Sequence, residues 1–92
     1  MTDPLPHNHE AIRIQLTFPI EVVKQPVIFR LVSDFGLIPN IRRANMDVER
    51  GGFIFLEISG RKEQIGRALV WMQGLGIDID AIGMDGIQEW AI

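Results

Sequence analysis

The sequence predicts an α+β domain in which two helices cover one face of a four-stranded antiparallel sheet, and three observations carry that expectation. Apolar and polar residues alternate with a period of two on both sides of Gly51-Gly52, the pattern of a long hairpin. The segments flanking this hairpin each repeat apolar residues at helical spacing. Beyond those segments, toward each end of the chain, the period of two returns. Ninety-two residues, 47% of them hydrophobic, provide for one core. A chain of this size buries only about 60% of the surface its unfolded form exposes, so a second core is not expected.

The elements follow in order. Residues 1–10 contain two prolines, Asn8 and the pair His7 and His9 without apolar periodicity, and read as an arm outside the folded domain. Ile12, Ile14, Leu16 and Phe18 alternate with Arg13, Gln15 and Thr17, a first strand with one buried and one wet face that Pro19 ends. Pro26 suits a helix start, because its fixed φ fits the first turn and its missing N–H would have no partner there. Ile28, Leu31, Val32 and Phe35 form the stripe of this helix, and Gly36 closes it. The hairpin runs from Leu37 to Ile58 with its turn at Gly51-Gly52. A second helix after Ser59-Gly60 has the stripe Ile65, Ala68, Leu69 and Met72, with Gly66 marking a point of close packing and Gly76 the end. Ile77, Ile79 and Ala81 then alternate with Asp78 and Asp80 in a last strand with an acidic outer face.

This order, βαββαβ, is economically satisfied by the ferredoxin-like arrangement, with sheet order 4-1-3-2 and both helices on one side. Residues 11–85 form the domain and 86–92 a tail. On the third strand Ile54, Leu56 and Ile58 make an unbroken apolar row that must face the helices. Phe53, Phe55 and Glu57 are left on the open face. Two phenylalanines in water beside Arg13, Gln15 and Thr17 imply a partner surface or a ligand platform. In the tail, Trp90 with Met84, Ile87 and Ile92 either folds back on the domain or docks on a partner.

Composition narrows the chemistry. No apolar run approaches the twenty residues of a membrane span, and no basic, apolar leader opens the chain, so a cytoplasmic protein without membrane insertion is expected. Cysteine is absent from the sequence, which removes disulfides, thiolate nucleophiles and thiolate metal sites. A net charge of -3 disfavours nucleic-acid partners, whose phosphates demand a concentrated excess of cations. The local patch Arg42, Arg43 and Arg50 fits a charged edge strand. His7 and His9 lack a third ligand, and Asp78 with Asp80 protect a sheet edge as readily as they would pair for acid–base work. No nucleophile stands with a base, so neither catalysis, a metal nor a cofactor is expected.

The string Arg50-Gly51-Gly52-Phe53-Ile54-Phe55 is similar to the signature strand of the RNA-recognition motif, although the first strand offers no aromatic on its outer face. Small acylphosphatases share the topology, but residues 19–25 lack the glycines and arginine of their phosphate loop. A broader resemblance runs from Ile12 to Gly83. Phe18, Pro26, Asn40-Ile41 with Asn45-Met46-Asp47, Gly52, Gly60, Ala68-Leu69-Val70-Trp71-Met72 and Gly76-Ile77-Asp78-Ile79 together resemble the NIL domain, a regulatory module at the C-terminus of ATPase subunits of bacterial methionine importers. The resemblance implies a ferredoxin-like fold, a homodimer, and in some members an L-methionine site near the dimer interface. It would put ligand contacts at Asn40, at the neighbouring Ile41 and at Ile54, the last of which the alternation turns toward the helices. The pattern departs at Arg42, where the name-giving Leu is replaced. No Gly-x-x-x-x-Gly-Lys-[Ser/Thr] string is present, so a free-standing module is expected.

The sequence therefore leads to a non-enzymatic regulatory module that forms a homodimer through Phe53, Phe55 and Trp90, and binds a small metabolite, an amino acid such as methionine, at Asn40, Ile41 and Ile54 to control an unknown protein partner. The alternative is an interaction or assembly module without a small ligand.

Overall fold

The computed structural model describes residues 8–82. Four strands, β1 (His9–Phe18), β2 (Ile38–Asp47), β3 (Gly51–Arg61) and β4 (Asp78–Ala81), form one antiparallel sheet in the order β2-β3-β1-β4. Helices α1 (Val27–Ser33) and α2 (Lys62–Gly74) follow β1 and β3, and a single 3-10 turn spans Ile20–Val22. This is the ferredoxin-like α+β arrangement, the order 4-1-3-2 read from the other edge. The tail with Trp90 lies outside the described residues.

The core is built where the two periodicities meet. Ile14, Leu16 and Phe18 of β1 and Ile54, Leu56 and Ile58 of β3 point to one side, where Val27 and Leu31 of α1 and Ile65, Ala68 and Met72 of α2 cover them. Leu16, Leu31, Leu56, Ile58 and Met72 are wholly buried. Each large aliphatic side chain taken from water here contributes about 1.5–3 kcal/mol, so the central pair β1–β3 is the thermodynamic centre of the domain. No buried polar or charged side chain interrupts this core among the described residues.

Three boundaries differ from the sequence-based expectation. β1 begins at His9, inside the segment expected to be an arm, because β3 reaches Arg61 and its backbone needs a partner. His9 lies opposite Arg61, and the Lys62 amide donates to the Asn8 carbonyl at 2.8 Å. The stripe of α1 is rotated toward Val27 and Leu31, with Ile28 and Phe35 partly covered and Val32 exposed, because the sheet lies under the Val27–Leu31 side. The hairpin turn is Val48-Glu49-Arg50 rather than Gly51-Gly52. There the Asp47 carboxylate accepts from the Glu49 amide at 2.7 Å, and the Arg50 amide donates to the Asp47 carbonyl at 3.2 Å.

The two glycines serve a close backbone approach instead. A Cβ at Gly52 would stand 2.0 Å from the Asn45 carbonyl oxygen, and one at Gly51 would stand 2.3 Å from that of Phe18. At the end of α2, Gly76 takes φ 94°, its amide donates to the Gln73 carbonyl, and the Ile77 amide donates to that of Met72. These two bonds form a Schellman cap. Buried Ile77 and Met72 lie at its two ends, at the positions where such caps make their apolar contact.

The helices are joined on their outer side by the Trp71 ring. Phe35 lies 5.5 Å from it, centroid to centroid, and the Arg30 guanidinium carbon sits 5.3 Å over it. Arg30 also pairs with Asp34 one turn on. Hydrogen bonds from Arg30 and then from the Ser33 hydroxyl hold the Asp34 carboxyl below its ordinary value of 3.8. A depressed carboxyl pKa adds stability above the unfolded value, and that contribution is lost as pH falls through the lower folded value. At this exposed site the effect on stability is small.

Two outcomes follow. Gly52→Ala should cost about 1–3 kcal/mol or more in urea unfolding, because backbone must move to admit the methyl group. In a carbon-detected carboxyl titration Asp34 should have its midpoint below 3.8, and Arg30→Gln should move that midpoint upward.

Candidate functional site

The helix-free face of the sheet is where the fold leaves chemistry exposed. Side chains directly opposite one another in an antiparallel ladder share a face, so the register defines rows across it. One row runs Arg43, Phe55, Gln15 and Asp80 from β2 to β4, and the next runs Asn45, Phe53, Thr17 and Asp78. A third holds Asn40, Glu57 and Arg13. Phe53 and Phe55 meet edge to face with centroids 5.5 Å apart, and the Arg43 guanidinium carbon stands 5.9 Å over Phe55. A ring pair of this kind contributes about 0.5–1.5 kcal/mol beyond area, and an exposed cation over a ring about 0.5–1 kcal/mol. On β1 the Gln15 amide donates to the Thr17 hydroxyl at 3.3 Å.

In the Phe55 row Arg43 of β2 stands at one end and Asp80 of β4 at the other, Asp78 ends the Phe53 row, Arg13 and Glu57 are neighbours on the inner strands, and Asp47 closes the open side of β2. A two-fold axis along the strands would lay β2 of one copy over β4 of another and bring Arg43 opposite Asp80, with Phe55 over Gln15. The face is therefore complementary to itself, the property that an isologous interface requires.

The residues singled out for ligand binding do not converge. Asn40 pairs with Glu57 and belongs to the open face, exposed at the start of β2. Ile41 pairs with Leu56, and Ile54 with Leu16 and Ala44, so both belong to the helix-facing side. Ile54 is 6% exposed whereas Ile41 is 46% exposed. The alternation already turned Ile54 inward, and the structure agrees with the alternation. Asn40 and Ile54 therefore lie on opposite faces of the sheet. A bulge between Ile41 and Arg43 inserts Arg42 into the edge strand, where it re-aims the distal part of β2.

That distal part carries a feature the alternation alone did not signal. Ile41, Ala44 and Met46 lie on the helix-facing side of β2 yet remain exposed, because the helices cover only the inner strands at this level. Of the other candidates, His9 is held in β1 with its ring nitrogen 3.3 Å from the Asn8 side chain, and His7 lies outside the described residues. Among the described residues no three His, Cys, Asp or Glu side chains cluster at metal-binding distance. No helix among them is long and apolar enough to cross a membrane.

Residues 12–81 match the NIL domain family. The fold is also that of a solved structure, the C-terminal domain of an ABC transporter ATP-binding protein from Enterococcus faecalis. That likeness has a TM-score of 0.68 at 21% identity, and covers 79% of this chain and 84% of the other. No curated protein matches the sequence.

Placement on opposite faces separates two substitutions. Ile54→Ala should cost about 2–4 kcal/mol in denaturant unfolding as a core truncation. Asn40→Ala should stay within about 0.5 kcal/mol of the parent.

Proposed function

This chain belongs to the NIL domain family, and from that premise we propose that it is a non-enzymatic regulatory module that pairs with a second copy through the open face of its sheet and senses a small metabolite. The single observation that carries this proposal is the sheet face that no helix covers among the described residues, with half-exposed Phe53 and Phe55 between Arg43 and Asp80. Aromatic rings at the centre of a patch with charge at its rim are the usual make-up of an interface that assembles. The carboxylates of Asp78 and Asp80 on the same face work against phosphate backbones as the partner.

An amino acid, methionine foremost, is the proposed metabolite. Asn40 supplies two donors and an acceptor for its ammonium and carboxylate. Ile41 and the underlying Ile54 belong to the helix-facing side of the hairpin. A second copy on the open face supplies the other wall of a site at Asn40, and Ile54, beneath the sheet, bears on that site only by holding β3 in place. The partner under control is proposed to be a transporter ATPase in the cytoplasm, in keeping with the kind of protein whose C-terminal domain shares this fold.

The opposite-face placement of Asn40 and Ile54 favours a second reading, assembly through the same face with no small ligand. Thermal unfolding with an amino-acid panel separates the two. Saturation at a hundred times Kd adds about 2.7 kcal/mol to the folded state, and the melting temperature must climb with concentration for the sensing protein and stay flat for the assembly module. Pairing itself is tested by sedimentation equilibrium. Arg43→Glu and Asp80→Lys should each weaken self-association by about tenfold or more, and the double variant should restore it. Association indifferent to all three variants would exclude the open face as the interface.

A further inference from the structure

A second exposed feature lies on the opposite layer of the molecule. On the outer side of α2, Phe35, Gly66, Val70 and Trp71 form an apolar groove of about 620 Å³, with Lys62, Glu63 and Arg67 at its rim. Val70 is 69% exposed. The apolar surface continues on α1, whose Phe29 and Val32 are also exposed and whose Phe35 and Arg30 lie against Trp71. Nothing in the sheet-face site uses these residues.

Gly66 points to what the groove is for. It stands inside a thirteen-residue helix, where glycine is the least favourable residue after proline. Among the described residues it has no steric reason to be glycine: a Cβ there would meet nothing within 4 Å. The residue gives up helix stability and exposes bare backbone on the floor of the groove. That trade is explained when another chain segment comes against the backbone at this point.

The rim defines the chemistry of that segment. Lys62 and Arg67 are the cations of the rim, while Glu63 is its one carboxylate and lies 3.8 Å from Arg61, outside the lining, which leaves Lys62 and Arg67 as the uncompensated charges there. A basic margin of this kind, in a chain whose net charge is -3, selects an acidic segment. The groove is open to solvent rather than enclosed, and with Trp71 at its side it suits a peptide better than an enclosed small molecule. We propose that the α2 groove is a docking site for an acidic amphipathic peptide segment of a protein partner. Its aromatic or branched aliphatic anchor lies over Gly66 between Val70 and Trp71, and its carboxylates meet Lys62 and Arg67.

The test is a titration of the isotope-labelled full chain with a synthetic eleven-residue peptide carrying one tryptophan, two leucines and four glutamates. A second peptide with lysine in place of each glutamate serves as the control. The acidic peptide should shift the Gly66 amide, the Trp71 indole and the Lys62 and Arg67 side-chain signals, and should bind at least about tenfold more tightly than the lysine peptide, with affinity falling as salt rises. Gly66→Ala should raise the melting temperature by about 4 °C, since the helix gains and nothing is displaced, and should still weaken peptide binding. Gly66→Gln should abolish binding in a chain that remains folded. Signals around Gly66 that do not respond, whether because another part of the chain or a second copy already covers the groove or because it takes nothing, would overturn the proposal. Shifts confined to the Phe53–Phe55 face, or equal binding of the two peptides, would overturn it as well.

Discussion

Between β1 and β2, strand β3 sends Ile54, Leu56 and Ile58 into the helices and Phe53, Phe55 and Glu57 to the open side. A slip of one residue would exchange the two sets, driving two phenylalanines and a carboxylate against Leu31 and Met72 and three aliphatic side chains into water. The cost of that exchange fixes the register with both neighbours at once. The backbone contacts at Gly51 and Gly52 lock it from the hairpin end, because only glycine fits against the carbonyls of Phe18 and Asn45. Every row on the exposed face, and so the opposition of Arg43 to Asp80, is inherited from this single alternation.

The same register explains why the sheet face and the helix layer have different character. Helices following β1 and β3 return on one side, so the core consumes one surface of the sheet and leaves the other without a helix among the described residues. On that side the strand order sets Arg43 of β2 and Asp80 of β4 at opposite edges. The helix layer has no such division. Its outer groove is apolar with a cationic margin, which calls for a partner of different composition. A regulatory module needs both kinds of surface, one to assemble and one to communicate.

Much of this was legible in the residues. Alternation assigned the faces of β1 and β3 correctly, and the stripe of α2 emerged at Ile65, Ala68 and Met72 because its period is long and clean. The stripe of α1 was displaced to Val27 and Leu31, since a seven-residue helix gives the pattern too few turns to fix its rotation. Glycine was the ambiguous signal. Gly51-Gly52 looked like the turn, yet these residues are where backbones touch, and the turn is made by an Asp47 side chain. Gly66 looked like close packing inside the domain, yet its surroundings are open. Local sequence records that a side chain is forbidden or dispensable without recording what lies opposite. Alternation also assigned Ile54 to the helix-facing side, and the register has it there with Asn40 on the open face.

The central claim is that a second copy covers the Phe53–Phe55 face in a two-fold arrangement along the strands. Its most direct test is an isotope-filtered nuclear Overhauser experiment on a mixture of labelled and unlabelled chains, which reads contacts between copies only. The account predicts contacts from the Phe55 ring to Gln15 and from the Phe53 ring to Thr17 of the other copy. Intermolecular contacts arising instead from α1 and α2, or none at concentrations where the chain sediments as a dimer, would contradict it.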